Sequence, residues 1–363
     1  MQPVSVREVD IIAPNFKKRL SGVTSTIAQL VPQQRAQGAR IAAFAPKGAL
    51  PANVPVLGRA ALFGLWRPPP GQACRIWHAR RNVEMLAGII MRDILRMKLR
   101  LIFTSAAQRR HKAFTRYLIG KMDKIIATSA RSGSYLRAPY QIIRHGVDLE
   151  AFTPPAGPAD EFAAAGLPGS YAIGCFGRIR HQKGTDLFVA AMLALLPRYP
   201  QWTALISGRI TPEHKAFAAD LREKIAEAGL RERIIFLGEV ADIRQWYRRL
   251  TLYVAPSRNE GFGLTPLEAF AAQTAVVASD AGAYPELIAP GTGAIVPAGD
   301  AKALQHAIEP YLAAPQKALA AGRAGLRHVR DHFPLAQEAA ALNRVYAEML
   351  QAAAKEKARQ TAA

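Results

Sequence analysis

The chain's 363 residues and 39.4 kDa, half of them hydrophobic with a mean hydropathy of +0.01, suffice for two domains that each bury a core. MQPVSVREVD contains no apolar signal core and no run reaches about 18 apolar residues, so we expect a cytoplasmic chain that does not span a membrane. Cys74 and Cys175 lie far apart without a CxxC pair, and the eight His form no HExxH cluster, which excludes a disulfide framework and a zinc ribbon. The net charge of +21 is concentrated: residues 1–150 hold 25 Lys and Arg against 7 Asp and Glu, and residues 151–363 hold 23 against 20. A basic half beside a near-neutral half points to an anionic partner: nucleic acid, an acidic lipid surface or an acidic substrate.

VREVDIIAP (6–14) reads as a first strand, followed by a basic loop and a helix from Gly22 with Val23, Ile27, Leu30 and Val31 at helical spacing. A strand, a glycine and a helix are how a doubly wound α/β domain begins. ARIAAFAP (39–46) is the second strand, then a Pro-rich loop leads to a strand in CRIWHARRN. Apolar residues at 83, 86, 90, 94 and 97 predict a helix, with Arg92, Arg96 and Arg100 forming one basic face. LRLIFTS is a strand, QRRHKAFTRYLIGKMDK a second basic amphipathic helix candidate bearing Arg109, Arg110 and Lys112, and KIIATS another strand.

Residues 154–168, rich in Pro, Ala and Gly, read as a linker between domains at 1–153 and 169–334. The second domain alternates strands (YAIGCF, WTALISG, RIIFLG, TLYVA, TAVVASD, GAIVPAG) with helices near 186–196 and 213–228. Such alternation predicts two parallel sheets covered by helices on both faces. An Ala- and Leu-rich helix over roughly 335–354 and a disordered tail end the chain.

The densest chemistry lies in PSRNEGFGLTPLEAF (256–270), where Glu260 and Glu268 stand eight positions apart. TPLE predicts a helix start with Thr265 as N-cap, Pro266 in the first turn and Glu268 three residues after the cap. The backbone of Gly261, Phe262, Gly263 and Leu264 then approaches a helix N-terminus, a place suited to phosphate. A capping-box role for Glu268 and a solvated Glu260 are the alternative. In CFGRIRHQKG (175–184), Arg178 and Lys183 follow a strand in a glycine-flanked loop, either as two solvated cations or as a grip on a diphosphate.

These words together resemble the retaining glycosyltransferases of family 4, and WHARRNVEM, FTSAAQRRH and EGFGLTPLE resemble the bacterial lipopolysaccharide core mannosyltransferases among them. The resemblance implies the α/β GT-B fold, two Rossmann-like domains facing a central cleft, with the last helix (335–363) crossing back to the first. It implies that Glu260 lies by the donor sugar, that Glu268 holds the ribose, and that Arg178 and Lys183 neutralise the leaving diphosphate. It places the base near Val240 in FLGEV, donor phosphates near Gly22 in SGV, and a sugar contact at His78. Glu286 in SDAGAYPELI matches a G-G-x-x-E turn less well, since Ala283 replaces the second Gly, and His145 in HGVD takes no role beyond a hinge.

The implied activity is metal-independent transfer of mannose from GDP-mannose, without a cofactor, to a Kdo-type acidic lipid-linked acceptor. It would take place peripherally on the inner membrane. Arg92, Arg96, Arg100, Arg109, Arg110 and Lys112 would then meet anionic lipid or the acceptor. The alternatives are a UDP-glucose or UDP-galactose enzyme of the same family, and a basic nucleic-acid-binding α/β protein. Against the latter, the basic stretches lack interleaved aromatics and match no nucleic-acid module.

Overall fold

The computed structural model describes residues 4–17 and 22–362. The chain forms two compact units, Met1–His145 with Leu335–Ala363, and Gly146–Pro334. The first contains β1 (Ile11–Pro14), α1 (Gly22–Ala36), β2 (Ile41–Phe44), β3 (Val56–Leu57), β4 (Arg75–Ala79), α2 (Asn82–Ile89), β5 (Leu99–Ser105), α3 (Ala113–Gly120), β6 (Lys124–Ala127), α4 (Ala130–Gly133) and β7 (Gln141–Ile142). All seven strands are parallel in the order 3-2-1-4-5-6-7. β1 and β4 are buried throughout, as strands covered on both faces must be.

Local chemistry trims several expectations. The first strand is only Ile11–Pro14, because Ser5 caps a short 3₁₀ turn over Val6–Glu8. The stripe at 83–97 does not form one helix. α2 passes into a π turn at Ile90–Ile94, and Arg96 takes a left-handed conformation (φ 56°). Arg100 stands on β5, so Arg92, Arg96 and Arg100 share no helix face. Arg92 pairs with Asp93 and Asp123, and Arg100 with Asp123 and Glu356. The second basic helix is confined to Ala113–Gly120, which leaves Arg109, Arg110 and Lys112 exposed on the segment before it.

The second unit contains β8 (Tyr171–Phe176), α5 (Thr185–Leu195), β9 (Trp202–Ser207), α6 (Lys215–Glu227), β10 (Ile234–Gly238), α7 (Ile243–Arg248), β11 (Leu252–Ala255), α8 (Thr265–Ala271), β12 (Ala275–Ser279), α9 (Tyr284–Leu287), β13 (Gly293–Val296), α10 (Ala301–Ala313) and α11 (Pro315–His332). Its parallel sheet runs β10-β9-β8-β11-β12-β13, so the order reverses between β8 and β11. Residues 154–168 are part of this unit rather than a free linker: they contain two 3₁₀ turns, and Phe162 is buried in the core beside Phe152 and Tyr247. The unit boundary falls instead between His145 and Gly146.

α12 (Leu335–Ala362) packs on α1 and buries Leu335, Leu342, Val345 and Tyr346 in the first unit's core. It is helical through Ala362, where a disordered tail was expected, because its sequence there is rich in Ala, Lys, Gln and Arg, all good helix formers.

Candidate active site

In a doubly wound sheet, ligands bind beyond the C-terminal strand ends where the strand order reverses. In the second unit that point lies between β8 and β11, and a pocket there is lined by Gly177, Arg178, Lys183, Ser257, Thr265 and Tyr284. Two loops build it. Arg258 ties them together with paired 2.7 Å bonds to Asp186 Oδ1 and Oδ2 and a third to the carbonyl of His181. Gly184 allows the close fit: its φ is +72°, and a Cβ there would lie 1.9 Å from the carbonyl oxygen of Pro256.

This staple brings Lys183 and Glu260 together, and Lys183 Nζ pairs directly with Glu260 Oε2. Glu260 also accepts from its neighbour's amide, Gly261 N–H (3.1 Å), and from Tyr284 OH (3.3 Å). Burial alone would push the Glu260 carboxyl up, but the Lys183 ammonium and these donors outweigh it and hold the group below the ordinary glutamate value. The site therefore holds an ionised carboxylate matched to a cation. Gly263, at φ +83°, packs where a Cβ would strike the Tyr284 ring and Glu260 Cγ.

Thr265 is not the N-cap of α8. It is the first helical residue, Leu264 occupies the cap position without a side-chain bond, and Pro266 follows in the first turn. No capping box forms, so the amide end of α8 is not closed by its own side chains. Glu268 is turned elsewhere: Tyr247 OH donates to its Oε2 at 3.0 Å. Burial raises the Glu268 carboxyl to about 7, against smaller opposing effects of Tyr247 and Lys183.

That shift has a measurable sign. A carboxyl whose folded pKa lies above its unfolded value of 4.5 binds more protons when folded. Stability is therefore intact below the lower value and falls as pH rises towards 7, by up to about 3 kcal/mol at 1.36 kcal/mol per pK unit. Glu268→Gln should accordingly raise the melting temperature near pH 8 and have little effect near pH 4. Equal melting curves for the two proteins at both pH values would contradict this placement of Glu268.

The other expected site residues are distributed as follows. Val240 lies just beyond the C-terminal end of β10, and Glu286 in the first turn of α9. Gly22 begins α1 in the first unit, and its neighbour Ser21 lies outside the described residues. His78 departs from expectation. It is fully buried on β4, with Nδ1 2.6 Å from Tyr346 OH and Nε2 2.6 Å from Thr104 Oγ1. Both ring nitrogens are thus used to tie α12 to β4 and β5, and burial drives the imidazole well below its usual pKa. In this arrangement both ring nitrogens are already engaged within the first unit. His145 likewise binds α12, with Nδ1 2.6 Å from Glu338 Oε1.

Three residues around these side chains escaped the sequence reading. Tyr247 and Tyr284 hold the two glutamates, and nothing in their sequence spacing marks them. Arg180 is the third cation of the Arg178–Lys183 loop, and its Nε is buried without a hydrogen-bond partner. Burial and Arg178 lower its pKa, while Glu260 raises it. The available signal was the word GRIRHQKG itself, which contains three strong cations rather than two.

Residues 170–314 match the family described as glycosyl transferases group 1. The chain is 60% identical over 346 residues to the lipopolysaccharide core biosynthesis mannosyltransferase LpcC of Rhizobium leguminosarum bv. viciae, covering 95% of this chain and 98% of that one. It is 51% identical over 351 residues to the lipopolysaccharide core biosynthesis mannosyltransferase LpsB of Rhizobium meliloti (strain 1021), covering 96% and 99%. Among solved structures, Anabaena Alr3699/HepE in complex with UDP superposes with a TM-score of 0.80 over 94% of this chain and 100% of that one, at 19% identity. At that identity the likeness speaks for the fold alone: paired Rossmann-like units of the GT-B class.

Proposed function

The chain belongs to the group 1 glycosyltransferases, and on that premise we propose that it moves mannose from GDP-mannose, with retention, onto an acidic lipid-linked saccharide of the lipopolysaccharide core. The observation that carries the chemistry is the joining of Arg178, Lys183 and Glu260 at one pocket of the second unit. The names of the two relatives, matched along almost their whole length, support mannose and the core acceptor.

The leaving group is a nucleoside diphosphate, whose charge grows as the bond from sugar C1 to phosphate oxygen breaks. Arg178, Lys183 and the open amide end of α8 meet that charge. The acceptor oxygen bonds to C1 from the same face, and its proton passes to the departing phosphate oxygen. Glu260 lies beside C1 and offsets the positive charge that develops on the sugar. Glu268 accepts from the ribose hydroxyls. Its ribose contact is made in ground and transition states alike, so Glu268→Ala should raise KM for the donor about ten- to a hundredfold with a smaller change in kcat.

The test is direct. A thermal-shift panel of GDP, UDP and their sugars should single out GDP-mannose, since a bound ligand raises apparent stability by mass action. Mannosyl transfer to a core acceptor should persist in EDTA. Selective stabilisation by UDP-glucose or UDP-galactose, or loss of activity in EDTA restored by Mn²⁺, would overturn the donor or the metal-free mechanism respectively.

A further inference from the structure

The word SDAGAYPELI offered Glu286 as its candidate, but Tyr284 of the same word lines the pocket and donates its hydroxyl to Glu260 Oε2 (3.3 Å). The two oxygens of that carboxylate are held differently. Gly261 N–H binds Oε1 at 3.1 Å, while Oε2 takes both Lys183 Nζ and the Tyr284 hydroxyl. Gly261 N–H is the next amide in the chain and moves with the loop that carries Glu260. Tyr284 belongs to another element: it begins α9, is 1% exposed, and its ring joins the core with Phe262, Leu267 and Leu287. Two glycines close that element onto the glutamate loop. A Cβ at Gly263 would lie 2.4 Å from the Tyr284 ring, and one at Gly282 (φ +62°) would lie 2.5 Å from the Gly261 carbonyl oxygen and 2.9 Å from Glu260 Cβ. The ring has little room to swing, so its hydroxyl is a donor anchored in a packed core. Burial and the Glu260 charge hold the phenol well above its usual pKa, so it stays protonated and donates.

Lys183 is claimed by two anions. It pairs with Glu260, and the leaving diphosphate needs the same ammonium as its charge grows. An ammonium on a flexible four-carbon stem can turn from one to the other. A carboxylate that followed it, or that took up a proton on losing it, would no longer offset positive charge on the sugar. We infer that Tyr284 is the positioning residue that keeps Glu260 in place, with Oε2 still bonded, when Lys183 turns to the diphosphate. This rests on the role of Glu260 proposed above and names the residue that lets one lysine serve both anions.

Two measurements on the full chain test it. In the first, turnover of GDP-mannose with a delipidated core acceptor is compared in wild type, Tyr284→Phe, Glu260→Ala and the double variant. Tyr284→Phe should lower kcat about ten- to a hundredfold, as expected for a lost hydrogen bond to a charged group, with donor KM and GDP affinity within about twofold of wild type. In the Glu260→Ala background the same substitution should cost less than about twofold, because the hydroxyl then has no carboxylate to hold. An unchanged kcat, a loss carried by KM or GDP affinity, or an equal loss in both backgrounds would overturn the inference while leaving the role of Glu260 standing. Wild-type turnover in Glu260→Ala would overturn that role itself, and the inference with it.

The second measurement needs no turnover. Among the described residues, the charged and titratable groups facing Glu260 are Lys183 and Arg180 of the loop after β8 and Tyr284 of α9. With Lys183 replaced by alanine, the Tyr284 hydroxyl is the donor left on Oε2. Adding Tyr284→Phe should then raise the Glu260 pKa further. A carboxyl raised in the folded state loses stability as pH rises through its folded pKa, so the fall in melting temperature between about pH 5 and 9 should be larger in Lys183→Ala/Tyr284→Phe than in Lys183→Ala. Glu268 titrates in the same range in both variants and cancels in the comparison. An equal fall in the two would show that the hydroxyl does not hold the carboxylate once the lysine is gone, and would overturn the inference whatever sugar the donor carries.

Discussion

Lys183→Ala is expected to lower turnover by about 10²–10³-fold, the usual loss when a preorganised donor to developing negative charge is removed. The geometry adds a second expectation. Lys183 is the cation that keeps Glu260 ionised in its half-buried position, so removing it leaves the carboxylate with Gly261 N–H and Tyr284 OH as its hydrogen-bond donors among the described residues. The variant should therefore take up a proton at Glu260 at higher pH than wild type and lose thermal stability as pH rises. Arg178→Ala provides the control. Arg178 is exposed, so its loss should impair turnover without a pH-dependent change in melting temperature. Stability and turnover measured from about pH 5 to 9 on both variants decide the matter. Unimpaired turnover in Lys183→Ala would remove this loop from the mechanism.

Glu260→Gln should have the opposite signature on binding. Turnover should again drop about 10²–10³-fold, since the amide cannot offset positive charge on the sugar. Affinity for the free nucleoside diphosphate, however, should rise. Lys183 is paired with Glu260, and Arg180 feels the same carboxylate. The diphosphate has to compete with Glu260 for Lys183. Neutralising Glu260 removes that competition, which corresponds to about two- to fivefold in affinity for one part-exposed ion pair. Calorimetric titration of GDP into wild type and Glu260→Gln measures it. Weaker GDP binding by the variant would mean that the carboxylate organises the diphosphate site rather than opposing it.

Much of this site was legible in the chain because its information is local. A strand, a glycine-bearing loop and a helix start are contiguous in sequence, and cations or carboxylates at their junctions fall at the C-terminal edge of a parallel sheet. The alternation of strands and helices likewise specified two doubly wound units, and the words around Arg178, Lys183, Glu260 and Glu268 identified the family. Spacing alone could also place Pro266 in the first turn of α8, because proline is tolerated there and hardly further along.

What remained hidden depended on contacts between distant segments. No spacing rule connects Tyr247 to Glu268 or Tyr284 to Glu260; folding brings them together through a shared core. The resemblance implied a sugar contact at His78, yet α12, 268 residues later, delivers Tyr346 to its ring and engages Nδ1. Residues 154–168 had a linker's composition, but Phe162 found a hydrophobic site that composition does not encode. The direction of the stripe at Val83–Ile94 was not readable from the sequence either. Periodicity shows that one face of a helix is apolar, but whether that face meets a core or the solvent is decided by the sheet beneath it. Here Met85 and Ile89 join Trp77, Leu99 and Leu101 of β4 and β5 in the core, while Val83, Leu86, Ile90 and Ile94 stay exposed. The sequence by itself determined the elements, the pocket's charges and the family. Only the tertiary structure decided which charges are paired, which histidine is buried and which apolar face is open, because those depend on packing between residues far apart in the chain.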